Sequence, residues 1–170
     1  MKRLAALAAI AICGACVMAP PVLHNNVADL HCDESKWVPF DAVGSGIIEG
    51  QAFLRTRGGE VRTAAGSEVI LIPSVGCVLD WWAKAGKVWS NRNFLPNDPS
   101  FRARIRRTIA DGDGRFRFDG LPAGPYIVRS QVTWEVPGLY GAGSTEIQGG
   151  IVGDEFQVEA GKATTAVLTW

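Results

Sequence analysis

The chain has 170 residues, 47% of them hydrophobic, and its 17 basic side chains are matched by 17 acidic ones. This length allows one domain with a buried core. The balanced charge gives no support to a nucleic-acid partner.

The N-terminus is typical of an export signal. Lys2 and Arg3 precede an apolar run from Leu4 to Ile12, which is shorter than the roughly 20 residues that cross a bilayer. We therefore expect residues 1–15 to be a signal peptide. Its removal leaves 15 basic residues against 17 acidic ones, a net charge of −2.

A cysteine follows the apolar run in a small-residue setting. The sequence Cys13-Gly-Ala-Cys16 resembles the lipobox of bacterial lipoproteins, although Cys13 stands where an aliphatic residue is usual. The resemblance implies a lipid anchor on Cys16, and Val17 resembles the pattern that sorts lipoproteins to the periplasmic face of the outer membrane. The alternative is ordinary cleavage near Ala15 or Ala19 with release into the periplasm.

Residues 16–44 are predicted to be a tether, because Pro20-Pro21 and scattered charges show no sustained period. The domain is then expected to span residues 45–170. After export and lipidation, Cys32 and Cys77 are left as an even pair in an oxidising compartment. They form either a disulfide or two unpaired thiols, since a sequence gives no Cα–Cα distance.

The alternation of a β-strand starts just after the predicted tether. Residues 47–54 alternate as a first strand, and Glu68–Pro73 is apolar enough to be a central second strand that Pro73 ends. Gly58-Gly59 and Gly66 bracket a loop between them.

Residues 74–100 break the alternation, and within them residues 78–85 are predicted to form a short helix. This insertion carries Trp81, Trp82 and Trp89. The three indoles are candidates for stacking on sugar rings or on a protein partner. The alternative is a hydrophobic cap over the end of the sandwich.

Residues 101–109 are predicted to be extended, which puts three arginines on one face of a third strand. They are Arg102, Arg104 and Arg106. If this strand pairs with the next, which carries Arg115 and Arg117, the arginines form a basic patch for lipopolysaccharide phosphates or acidic glycans. A solvated sheet face is the alternative.

Two turn signals frame that next strand. They are Asp-Gly-Asp-Gly at 111–114 and Leu-Pro-Ala-Gly at 121–124. Between them Phe116 and Phe118 alternate with arginines, so the two rings are predicted to face the core.

The rest of the chain completes an antiparallel pattern. A long strand over residues 126–134 leads to a Gly-rich loop at 137–144, and residues 155–158 and 163–169 form a last hairpin. The total is about seven strands, so the sequence predicts an all-β, antiparallel sandwich with a short helix or irregular insertion between strands two and three.

The opening at Gly46, the Glu68–Pro73 strand and the run Asp113-Gly-Arg-Phe-Arg-Phe-Asp-Gly-Leu-Pro-Ala-Gly-Pro-Tyr126 resemble the carboxypeptidase regulatory-like domain. The resemblance covers residues 46–170. It implies a seven-stranded, transthyretin-like (prealbumin-like) sandwich. Such modules occur in exported and cell-surface proteins, usually with no assigned activity of their own.

Catalytic constellations are not visible. Both histidines, His24 and His31, precede the domain, so a zinc peptidase site, an intradiol iron site and a His-activated nucleophile lack their ligands or base. Asp111, Asp113 and Asp119 suit turn chemistry better than a calcium loop. We expect no enzymatic activity, no metal and no cofactor.

The sequence therefore favours a non-enzymatic envelope lipoprotein that acts as an interaction or structural module, presenting residues 74–100 and 137–144 to an envelope protein or a glycan. The alternative is a carbohydrate-binding module that uses the three tryptophans of the insertion.

Overall fold

The computed structural model describes residues 32–83, 95–138 and 143–170. The predicted signal peptide, Cys16 and Trp89 lie outside these residues. Eight strands lie within them: β1 (Gly46–Arg55), β2 (Val61–Thr63), β3 (Glu68–Pro73), β4 (Arg106–Ile109), β5 (Arg115–Leu121), β6 (Gly124–Pro137), β7 (Thr145–Val158) and β8 (Ala163–Leu168). The short helices are α1 (Gly76–Trp81), α2 (Pro99–Arg104) and two 3₁₀ turns, Glu34–Lys36 and Val38–Phe40.

The strands form two sheets packed as an all-β sandwich. In the first sheet β1 pairs antiparallel with β2 and β5 and parallel with β8. The second sheet has the antiparallel order β4-β3-β6-β7. The predicted count of seven omits β2, a three-residue strand inside the predicted loop before Gly66, and the parallel β1–β8 pair departs from the fully antiparallel prediction.

The inner core lies between the two sheets and follows the strand alternation. Phe116 and Phe118 are buried, with their neighbouring arginines exposed, as predicted. Ile48, Ala52 and Leu54 meet them from β1. Alternate residues of a strand point to opposite faces, so one buried face per strand is enough to fix this register.

The turn at Asp111–Gly114 joins the two sheets. One Asp111 carboxylate oxygen accepts hydrogen bonds from the backbone N–H groups of Asp113 and Arg115 at 2.9 and 2.8 Å, and Gly114 has φ +79°. Because the turn crosses the sandwich, β4 pairs with β3 and β5 pairs with β1. The condition for a shared basic patch, that the two arginine-bearing strands pair with each other, is therefore not met.

A third layer covers the outer face of β3 and β6. We call residues 32–40, 75–83 and 95–105 the cap; its buried side chains meet Ile70, Ile72 and Ile127 of the sheet. We call this cluster the cap core; its cap members are Trp37, Val75, Val78, Trp81, Trp82 and Phe101. A disulfide between Cys32 and Cys77, with a Cα–Cα distance of 5.5 Å, joins two segments of the cap.

The cap corrects two boundaries. Residues 32–44 were assigned to the tether, yet Trp37 is fully buried and Phe40 packs edge-on against Tyr126. Residues 101–104 were predicted to be extended, yet they belong to α2. Asp98 caps that helix by accepting from the Phe101 N–H at 2.8 Å, and Pro99 stands in its first turn.

Candidate functional site

The predicted tryptophan site is mostly interior. Trp81 and Trp82 are 3% and 4% exposed, so their faces are covered by the protein and not offered to a sugar ring. They pack as a hydrophobic cap, as the alternative predicted, but this cap covers the outer face of the second sheet and not the end of the sandwich. Trp89 lies outside the described residues.

Arg129 explains why two indoles meet there. Its side chain is 2% exposed, and its guanidinium carbon lies 5.6 Å from the Trp81 ring centroid and 6.0 Å from that of Trp82. Burial lowers the pKa of Arg129 to about 10, which still leaves it charged at neutral pH. The tryptophans therefore stabilise a buried cation through their ring faces. Strand alternation alone gave no signal for this role.

The three predicted arginines do not share a strand face. Arg102 and Arg104 lie on α2, and Arg106 lies on β4. The strand prediction for Arg102 and Arg104 is wrong because the Asp98-Pro99 helix start overrides the alternation.

The Arg104 side chain contacts residues 34–41. It donates to both carboxylate oxygens of Asp41 at 2.8 and 3.1 Å and to Glu34 at 3.3 Å, and its guanidinium carbon lies 5.4 Å from the Trp37 ring centroid. Its hydrogen bonds hold the pKa of Asp41 below its usual value of 3.8. This arrangement joins residues 34–41 to α2.

A groove opens between β4 and β5, the strands at which the two sheets part. We call it the edge groove; its volume is about 370 Å³. Four parts of the chain meet there: the 40–43 segment, the end of β3, residues 104–106 and the β5–β6 turn with its flanking residues. Its lining residues are Phe40, Ala42, Val43, Leu71, Pro73, Arg104, Arg106, Asp119, Gly120, Leu121, Pro122 and Tyr126.

The floor of the edge groove is formed by the packed rings of Tyr126 and Phe40. Tyr126 donates its hydroxyl to the Pro122 carbonyl at 3.0 Å, and its ring meets Phe40 at a centroid distance of 5.3 Å and an interplanar angle of 87°. Burial raises the pKa of Tyr126 to about 12, opposed in part by the charge of Arg106. Tyr126 is therefore neutral at physiological pH, and it shapes the floor without titrating.

Polar groups stand at the rim. Arg106 is exposed, and no carboxylate of the described residues pairs with it. Asp119 is the one acidic side chain among the lining residues, and Arg117 holds both of its oxygens at 3.0 Å. The edge groove thus combines an apolar floor with a few hydrogen-bonding groups, as small-molecule sites usually do. The sequence singled out Arg104 and Arg106 and offered Asp119 only as a turn or calcium residue, and it gave no signal for Phe40 or for the role of Tyr126 in the edge groove.

A second depression of about 390 Å³ lies on the outer face of the first sheet, around Gly50. Its polar side chains bind one another: Arg117 pairs with Glu49, and Gln51 donates to the Asp113 carbonyl at 2.7 Å. It is shallow and internally satisfied, so it is the weaker candidate.

Two further searches cover the described residues only. No group of three or more His, Cys, Asp or Glu side chains is placed to hold a metal ion there. No helix in that part of the chain has the length and apolar character to cross a bilayer.

Among solved structures, the chain is similar to a Pseudomonas aeruginosa protein proposed to bind carbohydrate. The sequences are 26% identical, the TM-score is 0.69, and the match covers 82% of this chain and 98% of the other. It is also similar to a minor pilin of Streptococcus agalactiae (17% identity, TM-score 0.38, 75% of this chain and 44% of the pilin) and to a streptococcal ancillary pilin (14%, 0.31, 75% and 30%). No protein-family model and no curated protein matches the chain.

Proposed function

We propose that this chain is a carbohydrate-binding module of the bacterial cell envelope and that the sugar binds in the edge groove. The observation that carries the proposal is the likeness to the Pseudomonas aeruginosa protein over 98% of that protein's length. The edge groove, at about 370 Å³, is in the size range of small-molecule sites.

The chemistry of the edge groove suits a sugar. A pyranose has an apolar face of C–H groups and a rim of hydroxyls. The half-buried Phe40 ring and the apolar residues Val43 and Pro122 supply an apolar contact surface. The Arg106 guanidinium donates hydrogen bonds, and the Asp119 carboxylate accepts them. This assignment replaces the one based on Trp81 and Trp82.

The proposal involves binding without catalysis. Hydrolysis of a glycosidic bond usually needs two carboxyl groups on either side of that bond. Asp119 is the one acidic side chain that the described lining residues contribute, and it is bound by Arg117. This arrangement supports a binding role.

We also propose export, with a lipid anchor on Cys16 at the periplasmic face of the outer membrane, and kinship with the carboxypeptidase regulatory-like, transthyretin-type sandwiches. The support is the N-terminal sequence and the strand motifs given above. Labelling of expressing bacteria with an alkyne fatty acid should mark the wild-type chain and not Cys16→Ser. Equal labelling of both would contradict the anchor.

Binding to a glycan panel tests the carbohydrate proposal. The double variant Arg106→Gln/Asp119→Asn should bind much more weakly, because it removes the charged donor and the charged acceptor of the rim, whose hydrogen bonds are stronger than those of neutral amides. The control is Arg62→Gln/Glu60→Gln, an exposed pair joined at 2.9 Å on and beside β2 that lines neither depression and removes the same two charges.

Two results would count against the carbohydrate proposal: no panel member bound by the wild type, or equal binding by both double variants. If the wild type binds no glycan but retains an envelope protein from solubilised membranes, the chain is instead a protein-interaction module.

A further inference from the structure

Arg106 differs from the arginines around it. On its own strand, Arg107 points to the other face and pairs with Glu68. At the rim of the edge groove, Arg104 is neutralised by Asp41. Within the described residues no carboxylate lies in pairing distance of Arg106, although its side chain lines the edge groove.

The acidic side chain that lines the edge groove does not pair with Arg106. Asp119, across the edge groove on β5, is already paired with Arg117, which also binds Glu49. Arg106 is therefore the lining guanidinium that has no carboxylate partner among the described residues. Its effect reaches the floor, where it opposes the rise in the pKa of Tyr126.

A guanidinium that has no carboxylate partner and lies beside an apolar floor favours a ligand that carries a negative charge. A guanidinium presents parallel N–H groups whose spacing matches the two oxygens of a carboxylate. A neutral ligand that covered Arg106 would remove water from a cation without supplying a counter-ion, which is unfavourable.

We propose that the edge groove recognises an acidic sugar, whose carboxylate pairs with Arg106 while its ring lies on the floor near Phe40. This inference rests on the proposed carbohydrate function and specifies its ligand class. A uronic acid or a sialic acid within an oligosaccharide has the required chemistry.

Calorimetric titration with uronate and sialate oligosaccharides tests this, each compared with its own methyl ester. Esterification removes the charge and keeps the sugar ring. The wild type should bind at least one acid about tenfold or more tightly than its ester, the loss expected for one charge-assisted hydrogen bond. Added salt should reduce that preference.

Arg106→Gln should abolish the preference for the acid while leaving binding to the ester unchanged. Arg106→Lys, which keeps the charge without the planar fork, should retain part of it. The matched control is Arg102→Gln, which removes an exposed arginine of α2 that does not line the edge groove and should bind like the wild type. Thermal melts verify that each variant is folded.

The outcomes separate the two proposals. If no acid binds more tightly than its ester, the acidic-sugar inference fails, and the carbohydrate function stands provided that neutral glycans of the panel bind. If Arg102→Gln loses the preference as fully as Arg106→Gln, the preference comes from the overall positive charge of this surface and not from Arg106, and the inference also fails. Displacement of the acid by inorganic phosphate at equal concentration would indicate an oxyanion site without sugar selectivity and would contradict it.

Discussion

The two faces of the second sheet are both buried, but they are buried differently. On the inner face, Leu71 and Val128 meet another sheet whose strands alternate in the same way. On the outer face, Ile72 and Ile127 meet the irregular cap. β3 and β6 thus each contribute side chains to both cores. The inner core is covered by a second regular sheet, and the cap core is not.

The two cores also differ in whether their buried polar groups are hydrogen-bonded. In the inner core, Tyr126 donates to the Pro122 carbonyl and Ser130 donates to the Glu68 carbonyl at 2.9 Å. In the cap core, the buried indole N–H groups of Trp37 and Trp81 find no acceptor in the described part of the chain. Unsatisfied buried donors are costly, so the cap gains less free energy from burial than the inner core does, and it carries the disulfide.

The largest expected effect comes from emptying the inner core. Phe118→Ala should lower the free energy of unfolding by about 3–5 kcal/mol, through lost transfer energy and the cavity left behind. Both cores should then unfold together in a single denaturant transition, because the cap has no other surface to pack on.

The control for this variant lies on the same strand. Arg115→Ala changes an outward side chain and should leave the denaturation midpoint nearly unchanged. If Phe118→Ala were as mild, the two sheets would not enclose the principal core.

The next largest effect should destabilise the cap core more than the inner core. Cys32→Ser/Cys77→Ser removes a crosslink between residues 45 apart and should cost about 2–4 kcal/mol. The loss should be concentrated in the cap, where hydrogen exchange of residues 32–44 should rise far more than that of β1 and β5. Reductant should affect the wild type in the same way and the double variant not at all. A uniform rise across the sandwich would show that the cap is not a separate unit.

A smaller effect tests the contact between cap and sheet. Gly153 lies opposite Arg129, and a Cβ there would come within 2.7 Å of the Val128 carbonyl and 2.9 Å of the Trp82 ring. Gly153→Ala should therefore destabilise by about 1–3 kcal/mol, measured by denaturant unfolding.

The matched control is Gly76→Ala at the start of α1, where a Cβ meets nothing within 4 Å. It should be neutral or slightly stabilising, because alanine is the better helix former. Equal effects of the two changes would mean that neither the Val128 carbonyl nor the Trp82 ring crowds Gly153.

The same contrast explains what could be predicted from the sequence. The alternation of residues 47–54, the apolar run Glu68–Pro73 and the pair Phe116 and Phe118 predicted strands of the inner core, because a strand with one buried face carries that pattern in its own residues. The residues of the cap show no such alternation. Arg102 and Arg104 have the spacing of a strand face, but Asp98-Pro99 is a helix start, and both arginines lie in α2.

The edge groove was beyond sequence reasoning for a related reason. Phe40, Arg106 and Asp119 come from three separate segments that only the sandwich brings together. No spacing in the sequence indicates that these segments lie side by side, and the sequence places Phe40 in the predicted tether. Arg106 was named as a candidate only because it is an arginine in an alternating run.

The smallest expected effect concerns the polar rim of the cap, where Arg104 holds the pKa of Asp41 below 3.8. A carboxyl group whose pKa is lower in the folded state stabilises that state above its unfolded pKa, and the contribution is lost as the pH falls through the folded value. Asp41→Asn should therefore lower the thermal midpoint modestly at pH 7, and the gap to the wild type should narrow progressively as the pH falls below 3.8. Glu60→Gln, which breaks an exposed pair beside β2, should not change hydrogen exchange in the cap. If the gap between wild type and Asp41→Asn did not narrow on acidification, the charge of Asp41 would contribute nothing to holding residues 34–41 on α2.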